Sequence, residues 1–271
     1  HYLPVIPPPC PVSLISPQSL LPQTMATQFT NCSVLLDGQF VSEDLWVQGG
    51  LVVAAPPAGD LCQVEVVECG GALLAPGFID LQINGGFGED FTSGIHDAAS
   101  AERVLGRVGR GLLAQGVTGY CPTLVTSPTD TYTAALPNIR RSRAGAGGAA
   151  VLGVHLEGPL ISRARRGAHN ESFLRVPGPG GLAEVYGEAG LANVSLLTLA
   201  PELPGAREVT AEACQRGIRV SMGHTEAGLE EGLEALEPGA VMVTHLFNAM
   251  EPFHHRRPGL VGLLLGEQRV W

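Results

Sequence analysis

After Pro76 the sequence alternates between short apolar runs and amphipathic segments, and this alternation restricts the fold more than any other feature. The apolar runs, which we expect to be strands, are 77–84, 117–125, 150–157, 194–200, 218–224 and 240–246. The amphipathic segments, which we expect to be helices, are 99–115, 129–140, 182–189, 206–216 and 226–236. Strands that alternate with helices in this way form a parallel sheet with crossover helices.

The apolar runs predict an α/β fold of the barrel type. They are apolar on both faces, as a buried parallel sheet requires. About six β/α units can be counted where a closed (β/α)8 TIM-type barrel has eight. We therefore expect an incomplete barrel over residues 75–271, truncated at its C-terminal end.

Two further regions precede the predicted barrel. Residues 28–74 contain short β-like pieces between turn residues and predict a small β-region, interpreted as a β-sandwich segment. Residues 1–27 are rich in proline and lack the features of a signal peptide, so they predict a disordered leader. Met25 is the first methionine, and residues 1–24 are either translated upstream sequence or a functional tail.

Composition restricts the partners. The formal net charge of −10 and the lack of long basic runs argue against a nucleic-acid or anionic-membrane partner. No apolar stretch reaches the roughly 20 residues that a membrane helix needs. The 6 cysteines are scattered, which is typical of reduced thiols in a cytoplasmic protein, so we expect neither disulfides nor a cysteine-bound zinc. A small-molecule partner is expected.

Metal-competent side chains follow three of the apolar runs. Glu157 ends the run 150–157, while His224 and His245 come at the ends of two consecutive runs. A single histidine or glutamate at a strand end is more often a structural residue. One glutamate and two histidines at matching strand ends favour a common site. One carboxylate and two imidazoles leave a coordination position open, as in catalytic sites for a divalent metal. The residues alone thus predict a metal-dependent hydrolase.

Five segments together resemble a known family. They are APGFIDLQINGG at 75–86, HLEGP at 155–159, RGAH at 166–169, LAPE at 199–202 and THLFNAM at 244–250. The chain resembles the N-acetylglucosamine-6-phosphate deacetylases of the amidohydrolase superfamily, over nearly all of the sequence after the leader. The resemblance implies hydrolysis of N-acetylglucosamine 6-phosphate to glucosamine 6-phosphate and acetate through a metal-activated water.

The resemblance also implies a mononuclear site. Gln82 and Asn84 stand where many amidohydrolases have a His-x-His pair, and neutral amides are poor ligands for a borderline-soft metal. We therefore expect one metal, held by Glu157, His224 and His245, with Gln82 and Asn84 beside the ligands or touching substrate. A structural hydrogen bond is the alternative role for Gln82. Zn²⁺ fits the His₂Glu set, and Fe²⁺, Co²⁺ and Mn²⁺ are alternatives.

The segment after His245 is expected to bind the substrate's phosphate. Backbone N–H groups near Asn248 and Ala249, together with a guanidinium, can form charge-assisted hydrogen bonds to an anion. The resemblance implies that Arg256 contacts the phosphate and that Ala168 lies near the acetamide. His255 is a further candidate for ligand contact.

The resemblance implies a general base that the chain does not offer. The family carries a catalytic aspartate at the end of an eighth strand, which is expected beyond Trp271. We therefore assign no catalytic residue within the chain and expect it to be weak or inactive by itself. Two alternatives are another metal-dependent sugar or cyclic-amide amidohydrolase and a non-catalytic truncated partner subunit. The family often forms homodimers, so a homodimer is one assembly that the resemblance allows.

Overall fold

The computed structural model describes residues 25–55, 63–145, 147–266 and 270–271. The chain divides into two compact units between Pro76 and Gly77. Residues 1–24 of the predicted leader lie outside the described residues.

The N-terminal unit contains a five-stranded sheet. Its strands are β1 (Ala26–Leu36), β2 (Gln39–Val41), β3 (Leu45–Gln48), β4 (Leu51–Val53) and β5 (Val64–Leu74). Strand β1 is central, because it pairs antiparallel with β2 and β3 and parallel with β5. It begins two residues before the predicted β-region, since Ala26 pairs with both Gln48 and Val64.

The C-terminal unit contains a seven-stranded sheet, in which all described pairings are parallel. Its strands are β6 (Phe78–Ile83), β9 (Val117–Val125), β10 (Ala150–Val151), β11 (Val154–Glu157), β12 (Val194–Leu199), β13 (Arg219–Met222) and β14 (Ala240–Val243). The short strands β7 (Gly85–Gly86) and β8 (Glu89–Asp90) form a separate hairpin. Strand β6 pairs with β9, and the order continues β9-β11-β12-β13-β14. Both β10 and β11 pair with β9, so they are two parts of the strand predicted over 150–157.

Helices connect these strands as the alternation predicts. They are α1 (Phe91–Gly94), α2 (Ala98–Leu113), α3 (Thr129–Ala135), α4 (Gly181–Tyr186), α5 (Ala206–Gln215) and α6 (Leu229–Leu236). The predicted incomplete TIM-type barrel is confirmed. None of the helices formed by the described residues has the length and apolar character needed to cross a bilayer.

Helix α2 shows how local sequence sets an element's bounds. Asp97 is the N-cap, and its carboxylate accepts the backbone N–H of Ser100 at 2.8 Å. The Ser100 hydroxyl lies 3.0 Å from the Asp97 backbone N, which completes a capping box. Val104 and Val108 point into the core and are fully buried. Asp97 is therefore the capping residue, while Ser100 occupies the third helical position.

Strands β13 and β14 end earlier than predicted, at Met222 and Val243. The cause is the backbone of the two histidines, since His224 has φ +49° and His245 has φ +30°. Both angles are outside the extended region, so each strand ends before its histidine. Helix α6 begins later than predicted, at Leu229, because its N-cap Gly228 has extended backbone with φ −79° and ψ −172°.

Candidate metal centre

The carboxyl ends of three strands carry the centre. Glu157 is the last residue of β11, His224 follows β13 by two residues, and His245 follows β14 by two residues. Because these strands are parallel members of one sheet, their carboxyl ends meet at the same edge. The structure thus brings together the three residues predicted as ligands.

The three side chains are in direct contact. Glu157 Oε1 lies 3.2 Å from Nε2 of His224 and 3.2 Å from Nε2 of His245. The two Nε2 atoms are 2.9 Å apart, and the rings meet edge to face. Glu157 is 3% exposed and His224 is 6% exposed, whereas His245 is partly exposed. The cluster is therefore buried on one side and open on the His245 side.

Backbone carbonyls determine which ring nitrogens face the cluster. His224 Nδ1 lies 2.8 Å from the Arg165 carbonyl, and His245 Nδ1 lies 3.1 Å from the Asn248 carbonyl. A carbonyl only accepts, so both Nδ1 atoms carry a hydrogen, and in the neutral rings both Nε2 lone pairs face the cluster. Two lone pairs at this separation beside a carboxylate need a proton or a cation between them. The donor set therefore fits a divalent metal.

The pKa shifts have the same physical origin. The hydrogen bond to Glu157 raises the pKa of His245, because the carboxylate stabilises the imidazolium. Burial alone would raise the pKa of Glu157, but its hydrogen bonds to His224 and His245 outweigh burial and lower it. The carboxylate is thus ionised and favours positive charge on His245. A metal ion would replace the proton on His245.

The backbone of the centre is strained. In addition to the two histidines, Phe247 and Ala249 have φ of +74° and +51°. Left-handed backbone at non-glycine residues costs of the order of 1–3 kcal/mol each and persists only where surrounding contacts hold it. Such strain is concentrated at active sites and ligand clamps. It marks the loop after β14 as part of the site.

His169 is a buried neighbour that the sequence reasoning did not assign. Its Nε2 lies 3.8 Å from Glu157 Oε2, its ring contacts His224, and Glu157, His169 and His224 together could also hold a metal ion. However, the Thr126 backbone N–H donates to Nδ1 of His169 at 3.3 Å. In the neutral ring the proton then lies on Nε2, which makes His169 a donor towards the site. Burial lowers the pKa of His169 to about 4, so the ring is neutral at pH 7. The motif RGAH at 166–169, from which we expect Ala168 to lie near the acetamide, also contains His169.

A chain of buried hydrogen bonds lies close to the cluster. His155 Nε2 is 2.7 Å from Thr198 Oγ1, which is 2.7 Å from Thr244 Oγ1, which is 2.6 Å from Ser221 Oγ. These residues belong to β11, β12 and β13 and to the residue after β14. The chain therefore links the strands whose ends carry Glu157 and the two histidines.

The two predicted amide neighbours occupy different positions. Gln82 Nε2 donates to Glu157 Oε1, the same oxygen that contacts both histidines. Asn84 lies one residue beyond the end of β6 and is exposed. The structure thus joins Gln82 to the cluster but gives Asn84 no described side-chain contact with it.

The predicted substrate residues lie in exposed loops. The backbone N–H of Asn248 donates to the His245 carbonyl at 2.9 Å within the turn. Arg256 is exposed and forms no ion pair within the described ranges, and the His255 ring packs against His254 with centroids 4.4 Å apart. Ala168 is also exposed.

Comparison with known proteins agrees with the fold. No protein-family profile matches the chain. The N-acetylglucosamine-6-phosphate deacetylase of Rattus norvegicus is 50% identical over 247 residues, covering 89% of this chain and 59% of the relative. The crystal structure of the corresponding enzyme from Pasteurella multocida has a TM-score of 0.75 and 29% identity, with 89% of this chain and 62% of that chain covered. The enzyme from Mycobacterium smegmatis has a TM-score of 0.70 and 30% identity, with 91% and 67% covered.

A parallel β/α sheet with a carboxylate and imidazoles at its carboxyl edge, together with these likenesses, places the chain in the amidohydrolase superfamily. Within that class the three relatives just described bear one family name. The chain belongs to the N-acetylglucosamine-6-phosphate deacetylase family. It spans about three fifths of the length of the curated relatives that it matches.

Proposed function

We propose that the centre removes the acetyl group from N-acetylglucosamine 6-phosphate, giving glucosamine 6-phosphate and acetate. The names of the relatives support this reaction. The observation that carries the proposal is the approach of Nε2 of His224 to Nε2 of His245, at 2.9 Å beside Glu157. This arrangement suits a bound cation, which amide hydrolysis by this superfamily requires.

The proposed ligands of one divalent metal are Glu157, His224 and His245. When bound, the metal supplies Lewis-acid polarisation and lowers the pKa of water at the site. We propose Zn²⁺, because two imidazoles and one carboxylate are a common catalytic zinc set. Elemental analysis of purified protein, followed by competition among Zn²⁺, Fe²⁺, Co²⁺ and Mn²⁺, tests the identity of the metal.

Two other residues would orient the reacting groups. Gln82 donates to Glu157 Oε1 and so fixes the carboxylate rotamer. His169 presents a neutral N–H at Nε2, which can donate to a carbonyl oxygen of the acetamide. Ala168 precedes His169 and has a small side chain, so we place the acetamide beside it.

The loop after His245 would hold the phosphate. Arg256 supplies a guanidinium, and the proposed further contacts are Asn248 and the backbone N–H of Ala249. His255 is adjacent to Arg256 and is the proposed additional contact.

Binding measurements test the substrate assignment without requiring turnover. We expect the chain to bind glucosamine 6-phosphate more tightly than glucosamine in titration calorimetry. Arg256→Met should weaken binding of the phosphorylated sugar by about tenfold or more, since charged hydrogen bonds contribute roughly 1.5–3 kcal/mol. Arg257→Met is the matched control and should bind like the wild type. Equal binding of the two sugars would favour another amidohydrolase substrate.

Acetate release from N-acetylglucosamine 6-phosphate measures turnover by the 271-residue chain itself. The prediction that this chain is weak or inactive alone is tested by the same assay. Tight binding of full-length family members without turnover would favour the partner-subunit alternative.

Location and assembly complete the proposal. We propose a cytoplasmic protein, since Cys32, Cys69 and Cys121 are free thiols. The net charge of −10 speaks against a nucleic-acid partner. A homodimer is the proposed assembly, and light scattering coupled to size exclusion tests it.

A further inference from the structure

A short turn holds His224 on two sides. The backbone N–H of Ser162 donates to the His224 carbonyl at 2.8 Å, and the Arg165 carbonyl accepts from His224 Nδ1 at 2.8 Å. The turn itself is closed by the Arg165 N–H, which donates to the Ser162 carbonyl at 3.2 Å. Both the backbone position and the ring orientation of His224 therefore depend on the segment 162–165.

The side chain of Arg165 reaches the second loop of the centre. Its Nη2 forms an ion pair with Glu251 Oε1, and both side chains are about one third exposed. Glu251 lies between His245 and Arg256 in the loop that follows β14. The same loop is joined to the β13 side by the Thr225 N–H, which donates to the Ala249 carbonyl at 3.1 Å. Arg165 thus contacts one loop through its carbonyl and the other through its guanidinium.

The guanidinium of Arg165 leaves one of its N–H donors without an acceptor among the described residues. Arg165 Nε is buried and has no hydrogen-bond acceptor among the described residues. Leaving a buried donor unsatisfied is unfavourable. The arrangement therefore gives up one hydrogen bond of Arg165 while it keeps the ion pair to Glu251.

The two loops need such a restraint. His224, His245 and Ala249 all have positive φ, and strained backbone of this kind is maintained by contacts from its surroundings. The Arg165–Glu251 ion pair adds a side-chain restraint to the backbone hydrogen bond from Thr225 to Ala249. Together these contacts hold the loop after β14 beside His224, and so limit the distance between the two Nε2 atoms.

We propose that Arg165 is a positioning residue that couples the metal centre to the loop carrying Arg256. Its carbonyl fixes the ring of His224, while its ion pair with Glu251 fixes the loop that begins at His245. This inference rests on the proposed metal centre. It predicts that the Arg165–Glu251 pair contributes to metal affinity although neither side chain touches the metal.

Zn²⁺ affinity, measured by competition with a chromophoric chelator, tests the coupling in the 271-residue chain. Arg165→Met keeps the backbone carbonyl and removes the guanidinium, and Glu251→Leu removes the other partner. We expect each change to lower Zn²⁺ affinity by about tenfold, at the lower end of effects seen for residues that orient ligands. The double variant should be no worse than either single variant, because both remove the same pair.

The matched control is Arg163→Met. Arg163 lies in the same turn and pairs with Glu171, but its side chain is exposed and contacts neither histidine. It should retain wild-type Zn²⁺ affinity. The visible spectrum of bound Co²⁺ gives a second readout, since altered ligand geometry changes the spectrum of Arg165→Met and leaves that of Arg163→Met unchanged.

The charge-reversed pair Arg165→Glu with Glu251→Arg keeps the test decisive if a single variant does not fold. Restored Zn²⁺ affinity in this pair supports the coupling. Wild-type affinity in a folded Arg165→Met variant, or a folded reversed pair without recovery, overturns the inference and leaves the metal centre intact. Failure of the wild-type chain to bind Zn²⁺ overturns the proposed centre, and the inference with it.

Discussion

His224 and His245 place their Nε2 atoms 2.9 Å apart, while a backbone carbonyl fixes the hydrogen on the Nδ1 atom of each ring. The two neutral rings would therefore direct lone pairs at each other beside the Glu157 carboxylate. The contact is favourable only when positive charge lies between the rings. Without a metal a proton supplies positive charge, and the hydrogen bond to Glu157, which raises the pKa of His245, favours that proton.

This relationship predicts that metal binding stabilises the fold. At a free Zn²⁺ concentration of about 100 times its dissociation constant, the free energy of unfolding should rise by roughly 2.7 kcal/mol. Glu157→Gln should abolish most of this increase, because it removes the charge that draws the cation into the cluster. Glu237→Gln is the control, since Glu237 forms an exposed ion pair with Arg207. Thermal unfolding with and without Zn²⁺ measures the effect, and an equal increase in both variants would contradict the prediction.

The position of the centre could be predicted because it follows from strand direction. Parallel strands place their carboxyl ends at one edge, so the residues that follow three apolar runs were expected to meet. The hydrophobic pattern also located the strand β9 over 117–125, as observed. Both features follow from the pattern of apolar residues along the sequence.

Other features of the centre depend on tertiary contacts and were not predictable. Nothing in the sequence around His224 or His245 signals left-handed backbone, since neither is glycine, and both strands therefore ended early. The motif RGAH includes His169, but only the fold brings its Nε2 to 3.8 Å from Glu157 Oε2. The hydrogen bond from the Asn248 N–H to the His245 carbonyl likewise forms only once the turn at His245 is in place.

The buried hydrogen-bond chain predicts a large effect of Thr198→Val. The substitution keeps the shape of the side chain but removes the hydroxyl that joins His155 Nε2 to Thr244 Oγ1. Buried polar groups that lose a partner cost about 1–3 kcal/mol each. We expect a loss of this size in the free energy of unfolding, measured by urea denaturation. Thr133→Val, at an exposed helical position, should change stability by much less. Equal losses at the two positions would contradict the role of the chain.

The buried thiol of Cys121 predicts that the free energy of unfolding falls at alkaline pH. Burial is the main cause that raises the pKa of its thiol to about 11, from an ordinary value of 9.0. In the unfolded chain the thiol ionises first, so the folded state binds more protons between these values and its stability falls as pH rises through them. The wild type should therefore lose more unfolding free energy between pH 9 and 11 than Cys121→Ala does. Identical pH profiles of the two proteins would show that the thiol ionises equally in both states.

Gly158 lies in a closely packed segment directly after Glu157. Its φ is +78°, and a Cβ there would lie 2.2 Å from Thr126 Oγ1, the atom that contacts His169 Nδ1 at 2.7 Å. Gly217 has φ +77° with nothing within 4 Å, so Gly217→Ala measures the backbone cost alone, about 1–2 kcal/mol.

Gly158→Ala should cost about 1–3 kcal/mol more than Gly217→Ala, because Thr126 must move and overpacking costs are of that order. Thr126→Ala removes the clashing oxygen, so the double variant with Gly158→Ala should recover part of the difference. Urea denaturation measures the three variants against the wild type. Equal losses for Gly158→Ala and Gly217→Ala would mean that Thr126 yields freely, and His169 would then lack a rigid support beside the centre.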